Sequence, residues 1–234
     1  MVRAERGEFR DNQMLSRLCQ FWAWLNNGCC VIRDVNSELV PLTPNRIQRH
    51  IMARMLLQAA CGEPIRIIIL KARKGGVSTF VQALFFFMCC HYQHQVAGIL
   101  AHIADATSEI FEIPKLMAGH YPGARPIQRK ILFDDTGSRY WCHTAGSESI
   151  GAGGTPNLLH LSEVALWKLN KEDTHYSATN AVPDKPSTII VEESTARGRE
   201  LFYNRWENAH ADENGYEPVF VPWYFDDRLK ARVA

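Results

Sequence analysis

Ile67-Ile68-Ile69-Leu70-Lys71-Ala72-Arg73-Lys74-Gly75-Gly76-Val77-Ser78-Thr79-Phe80-Val81 divides into a strand, a tight turn and the start of a helix. Three isoleucines and a leucine in succession suit a parallel strand covered on both faces. Gly75-Gly76 lets the backbone turn sharply and come close to a ligand. Ser78-Thr79 opens an apolar helical run of Phe80, Val81, Ala83, Leu84, Phe85, Phe87 and Met88. A helix beginning there offers unpaired amides and the positive end of its dipole, which together favour an anion.

The phosphate-loop (Walker A) frame G-x-x-x-x-G-K-S/T fits this turn with departures. Lys71 fills the first glycine slot, Gly76 the second, Val77 the lysine slot and Ser78 the hydroxyl slot. Val77 cannot neutralise a phosphate, so the cation must be Lys71, Arg73 or Lys74. Lys71, reaching from the strand end, is the favoured phosphate lysine, and Lys74 is its rival. Arg73 is placed to reach a γ-phosphate as an arginine supplied in cis. Ser78 is expected to ligate Mg²⁺, and Thr79 to lie near the α-phosphate. Gly75, Gly76 and Val77 would line the nucleotide through their backbone. A plain turn with surface lysines and a Ser-Thr cap explains this stretch equally well when it is taken alone.

Two further strands raise the specificity. Leu158-Leu159-His160-Leu161 ends in Ser162-Glu163, in the manner of a Walker B strand. There the first polar residue holds a water of the Mg²⁺ shell and the second polarises the attacking water. Ser162 replaces the usual aspartate, while Glu163 remains as catalytic base. Thr188-Ile189-Ile190-Val191-Glu192-Glu193 ends in Ser194-Thr195, then Ala196-Arg197-Gly198. In a parallel sheet those hydroxyls lie on the same carboxyl rim as the phosphate loop and can sense a γ-phosphate. Helix capping for the one and turn chemistry for the other are the bland alternatives. Three apolar strands with polar ends on one rim predict an α/β P-loop NTPase of the additional-strand, catalytic-glutamate type. Its mainly parallel central sheet would be flanked by helices.

The rest of the chain is consistent with this. At 234 residues it is long enough for one large domain with a full core. A net charge of +1 gives no global basic field, so any DNA contact needs a local patch. The seven cysteines lack C-x-x-C spacing, which argues for reduced thiols and against a zinc site. The apolar run Ala83 to Cys90 is too short to span a bilayer. Leu15, Leu18, Phe21, Trp22 and Leu25 repeat at helical spacing in a segment 1–40, expected to be a lid or docking helix or else an ordinary packed one. The ATPase domain is expected over 41–234. Thr43 and Pro44 are expected to cap and open the next helix. Gln48 on that helix can read adenine through its amide. Pro114 is expected to kink or end the helix that starts near Ala104. Asp134-Asp135-Thr136-Gly137 is expected to turn a hairpin, and a glycine-rich loop follows from Gly146 to Pro156.

From about residue 40 onward the chain resembles the ATPase domain of the large terminase subunit, the genome-packaging motor of tailed bacteriophages. The likeness rests on Lys71 to Thr79, on His160-Leu161-Ser162-Glu163-Val164-Ala165-Leu166-Trp167, and on Glu193 to Gly198. Leu201-Phe202-Tyr203-Asn204-Arg205-Trp206 and Pro218-Val219-Phe220-Val221-Pro222-Trp223 strengthen it. The resemblance implies ATP as substrate, Mg²⁺ as cofactor and hydrolysis that drives double-stranded DNA into a procapsid. It makes Lys71 the phosphate lysine, Arg73 the loop arginine, Glu163 the catalytic glutamate, Gln48 the adenine reader, and Ser194 and Thr195 the coupling motif. Implied partners are duplex DNA held through its phosphates, the portal and procapsid, and the small terminase subunit. A ring of copies would form on the procapsid, and isolated chains would be monomers. The setting would be the host cytoplasm.

Arg125, Arg129, Lys130, Arg197, Arg199 and Arg205 are the candidate cations for DNA or the ring interface. Full-length members carry a nuclease domain, and this chain stops near Asp226-Asp227, so no DNA cleavage is expected of it. A helicase-like translocase outside packaging, and a nucleotide-gated assembly module without useful turnover, are the alternatives.

Overall fold

The run of isoleucines forms β3 (Ile65–Lys71), and the apolar helix that follows it is α3 (Val77–His91). This computed structural model describes residues 12–146, 154–168 and 170–226. Before β3 come α1 (Gln13–Asn26), a hairpin of β1 (Val31–Arg33) and β2 (Leu39–Pro41), and α2 (Arg46–Ala60). After α3 come β4 (Val96–Ala101), α4 (Ala104–Ala118), β5 (Ala124–Ile127), β6 (Lys130–Phe133) and β7 (Ser138–Thr144). The chain then runs through β8 (Leu158–Ser162), α5 (Lys171–Asn180), β9 (Ile189–Ser194), α6 (Leu201–His210) and β10 (Glu217–Val221).

Among the described residues the main sheet has the order β10-β3-β9-β8-β4-β7-β6-β5. Neighbours from β10 to β7 are parallel, and β6 and β5 pair antiparallel at one edge. The strand inserted between β3, which leads into the glycine turn, and the Ser-Glu strand β8 is β9. Its register sets Ile69 opposite Glu193, and Glu193 opposite Ser162. Alternate residues of each strand serve opposite faces. Ile67, Ile69, Ile189 and Val191 join the core built with α1, α2 and α3, whereas Ile68, Ile190, Leu159 and Leu161 pack with Phe202 and Trp206 of α6. The buried strands are apolar on both faces for this reason.

Several expectations are revised. Phe21 of α1 meets Phe80 of α3 with ring centroids 5.5 Å apart, so this helix belongs to the main core in the ordinary way. Residue 40 falls inside the β1–β2 hairpin, where Ile32 pairs with Val40. The cap of α2 is Asn45, not Thr43: its side chain accepts from the Gln48 amide while the Gln48 side chain accepts from the Asn45 amide. That reciprocal box satisfies two orphan donors, which Thr43, too early in the chain, cannot do. Pro114 does not end α4, which continues to Ala118. The Asp134–Gly137 hairpin is present and gains a third strand, β5. Residues 147–153 of the glycine-rich loop lie outside the described residues.

Candidate functional site

The turn from β3 to α3 needs unusual backbone. Lys74 has φ 61° and Gly76, the residue before α3, has φ 76°. Gly76 suits that left-handed conformation because it has no Cβ. A Cβ there would also lie 2.9 Å from Gln48 Nε2, and one on Gly75 would lie 2.8 Å from Ile47 Cδ1. The loop is thus pressed against the start of α2 and tied to it. Asn45 Nδ2 donates to the Gly75 carbonyl at 3.2 Å, and Gln48 Nε2 donates to the Gly76 carbonyl at 2.9 Å. Gln48 is only 2% exposed, and both ends of its amide are engaged. These bonds join the loop to the start of α2, and reading adenine would require them to open.

On the strand rim, Lys71, Glu163 and Thr195 come together. Lys71 Nζ lies 2.7 Å from Glu163 Oε1. Glu163 Oε2 accepts from the Thr195 amide at 3.3 Å, and from the Thr195 and Ser194 hydroxyls at 3.4 Å each. Ser194 Oγ in turn accepts from the Ala165 amide at 3.1 Å, which ties the segment after β8 to the end of β9. Glu163 itself has φ 51°, a conformation uncommon for a residue with a Cβ. Burial alone would raise its carboxyl. The Lys71 charge and hydrogen bond, with the Thr195 amide and the Ser194 hydroxyl, outweigh burial and hold it below the usual carboxylate range. Glu163 is therefore an ionised carboxylate oriented from both sides.

The residue that motif reading passed over is Glu193. Its side chain is fully buried on the α3 face of the sheet. Oε1 accepts from Ser78 Oγ at 2.9 Å and from Ser162 Oγ at 2.9 Å, and Oε2 stands 2.8 Å from Lys71 Nζ. His160 Nε2 is 3.4 Å from Oε1. The signal was present in the sequence: two acidic residues inside an apolar strand must each find partners, because an unpaired buried charge is prohibitive. Glu192 faces the opposite side. There Arg205 pairs with it through Nε at 2.8 Å and Nη2 at 2.5 Å, and His175 Nε2 lies at 2.9 Å. Arg205, expected among the DNA-facing or interface cations, is instead committed to this internal pair. Burial raises the Glu192 carboxyl, but His175 and Arg205 prevail and bring it down to about 2.

The remaining expected residues surround this centre. Val77 is buried, so the slot usually held by lysine points into the core. Ser78 is held by Glu193. Thr79, Lys74 and Gly76 line a cleft of about 1040 Å³ between the β1–β2 hairpin and the start of α2, with Arg46, Arg49 and Phe225. Arg73 is exposed at the turn. A second cleft of about 630 Å³ beyond the rim holds His102, Lys168, Lys171 and Arg197. Arg125 pairs with Asp134 through Nε at 2.6 Å and Nη2 at 2.8 Å, whereas Arg129, Lys130, Arg197 and Arg199 are exposed.

Among the described residues no group of three or more His, Cys, Asp or Glu side chains is arranged to hold a metal. A hard divalent ion here would draw on hydroxyls, one or two carboxylates and phosphate oxygens, which is the donor set that Mg²⁺ uses. Ser78, Ser162 and Glu193 fit that chemistry. Among the described residues no helix is long and apolar enough to cross a membrane.

No protein-family model matches the chain, and no curated protein matches it in sequence. Solved structures do match in fold. The large terminase of bacteriophage HK97 superposes with a TM-score of 0.69 at 16% identity, over 88% of this chain and 44% of that one. The large terminase of a thermophilic bacteriophage, in complex with ADP, gives 0.55 at 14% identity, over 74% and 44%. The large terminase ATPase domain of Thermus phage P74-26 gives 0.51 at 15%, over 78% and 83%. The chain thus spans under half the length of the first two. It has the P-loop NTPase fold that these terminase ATPase domains share, with a mostly parallel eight-stranded sheet between helices.

Proposed function

We propose that this chain is the ATPase domain of a viral large terminase, hydrolysing ATP with Mg²⁺ to drive double-stranded DNA into a procapsid. The observation that carries the reading is the meeting of Lys71, Glu163, Ser194 and Thr195 on one rim beside the glycine turn. The fold shared with large terminases, one of them solved with ADP, supports it.

The chemistry follows from these side chains. ATP enters with its phosphates against the amides that open α3, where the helix dipole favours them. Lys71 turns from Glu163 to the phosphates, and Arg73 covers the outer phosphate. Without the lysine, Glu163 becomes more basic, because the charge holding its carboxyl down has moved away. It then takes a proton from the attacking water. The water oxygen bonds to the γ-phosphorus while the bond to the bridging oxygen of ADP breaks, giving ADP and inorganic phosphate. Ser78, Ser162 and Glu193 are the residues that would hold Mg²⁺, which would supply neutralisation of the phosphate charge. Ser194 and Thr195 touch Glu163 from β9, so they register whether it is engaged and carry that state to the neighbouring elements. Lys74 remains the alternative phosphate cation. Duplex DNA, the portal and procapsid, the small subunit and further copies of the chain are the partners that this reading requires.

The test is Mg²⁺-dependent phosphate release by the wild type and by Glu163→Ala. Turnover in the wild type that is lost in the variant supports the proposal. Nucleotide binding with no turnover in either favours a nucleotide-gated assembly module.

A further inference from the structure

We infer that the metal-holding carboxylate of this site has moved one strand sideways: Glu193 at the end of β9 does the work that Ser162 at the end of β8 cannot. The inference rests on the nucleotide reading above and deepens it.

Ser162 occupies the position where a Walker B strand ends in an acid, and its hydroxyl carries no charge. The parallel register puts Glu193 directly beside it, with the two as paired residues on neighbouring strands. Both project to the face that carries α3, as alternation along β8 and β9 requires. Glu193 Oε1 then accepts from two hydroxyls at once, Ser162 Oγ and Ser78 Oγ, each at 2.9 Å. Ser78 is the hydroxyl of the phosphate loop itself. The carboxylate is thus already in hydrogen-bond contact with the loop's own cation ligand. Ser162 serves as a donor that fixes the orientation of Glu193.

The surroundings also fix the histidine that lies beside Glu193. Tyr140 donates to Gln82 Oε1, which turns the Gln82 amide so that Nε2 donates to His160 Nδ1 at 2.7 Å. His160 then carries its proton on Nε2, which faces Glu193 Oε1 at 3.4 Å. Tyr140 and Gln82, both fully buried, thus orient a buried imidazole that faces this carboxylate without a hydrogen bond to it. A buried carboxylate needs hydrogen-bond donors in any role, but here one of them is the hydroxyl of the phosphate loop and another is Ser162, at the end of β8. Metal sites depend on such outer partners to aim their ligands.

The assignment is tested by calorimetric titration of ADP into the protein, in EDTA and in Mg²⁺. The wild type is expected to bind ADP more tightly in Mg²⁺. Glu193→Gln, whose affinity in Mg²⁺ is compared with its own affinity in EDTA, is expected to lose about tenfold to a hundredfold of the gain from Mg²⁺. The exchange variant Ser162→Asp/Glu193→Ser returns the carboxylate to β8 and is expected to recover most of that gain. A folded Glu193→Gln protein with the full wild-type gain overturns the inference. If Glu193→Gln does not fold, the exchange variant decides, and a folded exchange variant without any gain overturns it. Wild-type binding that is equal in EDTA and Mg²⁺ overturns this assignment and leaves the nucleotide reading standing. Absence of ADP binding in the wild type overturns both.

Discussion

Lys71 Nζ lies 2.7 Å from Glu163 Oε1 and 2.8 Å from Glu193 Oε2, so one ammonium joins the ends of β8 and β9. Its side chain is 8% exposed, which removes most of the screening that weakens surface pairs. In the proposed mechanism the same group leaves a carboxylate for a phosphate. Lys71→Ala is expected to lower phosphate release by about a hundredfold or more, the usual consequence of deleting one charge-stabilising donor. Lys74→Ala is expected to lower it by less than about tenfold. Steady-state phosphate release at saturating ATP separates them, and equal losses would remove the preference for Lys71.

The Asn45–Gln48 box makes a different prediction. Gln48→Ala removes a capping bond of α2 and the bond to the Gly76 carbonyl together. The cost is expected to be about 1–2 kcal/mol in urea unfolding. If Gln48 acts as a latch, ADP and GDP affinities fall by the same factor in the variant. A loss confined to ADP would show instead that the amide reads adenine.

Much of this fold is visible in the pattern of residues. β3, β8 and β9 announce themselves because strands buried on both faces are continuous apolar runs, and each ends in residues that an apolar core would not tolerate. The glycine turn is visible because Gly75 and Gly76 stand between such a strand and an apolar helix. Glu193 was not, since its role depends on register: only the pairing of β9 with β8 and β3 shows that it lies beside Ser162. Arg205 was misjudged for a related reason. A cation on an amphipathic helix looks solvent-facing until the strand residue beneath it, Glu192, is seen to require a partner. Gln48 was legible in place, but its bonds to Asn45 and to the Gly76 carbonyl were not, because they come from turns whose shape only the fold determines.

The Glu192–Arg205 pair permits a direct stability test. Removing one member of a buried ion pair leaves the other short of its charge partner, at a cost of about 3 kcal/mol where, as here, His175 still faces Glu192. Arg205→Ala is expected to show a loss of that size by urea unfolding. Arg197→Ala and Arg199→Ala, both on exposed side chains, are expected to stay within about 0.5 kcal/mol. A small effect for Arg205→Ala would return that residue to the pool of cations open to DNA or a neighbouring subunit.

His160 predicts how the fold responds to acid. Burial, with a smaller contribution from the Lys71 charge, lowers its imidazole to about 3. The unfolded chain takes up that proton near the ordinary histidine value of about 6.5. Between those limits the unfolded state binds a proton that the native state refuses, so stability falls as pH drops from about 6.5 towards 3. One such proton contributes a slope of ~1.4 kcal/mol per pH unit. Glu192, held at about 2, adds a second loss, but only below the ordinary carboxylate range. The interval between about pH 6 and pH 5 therefore separates the two. His50, His91, His102 and His143 are also held below the usual value, chiefly by burial, and push in the same direction. The wild-type slope is thus composite, and only its difference from a variant reports His160. His160→Gln keeps an amide between Gln82 and Glu193 but cannot take up the proton. Urea unfolding of both proteins at pH 6 and pH 5 is expected to show a shallower loss for the variant, by about one proton's slope. Parallel losses would mean that His160 is protonated in the folded protein, with a proton on Nδ1 that prevents it from accepting from Gln82.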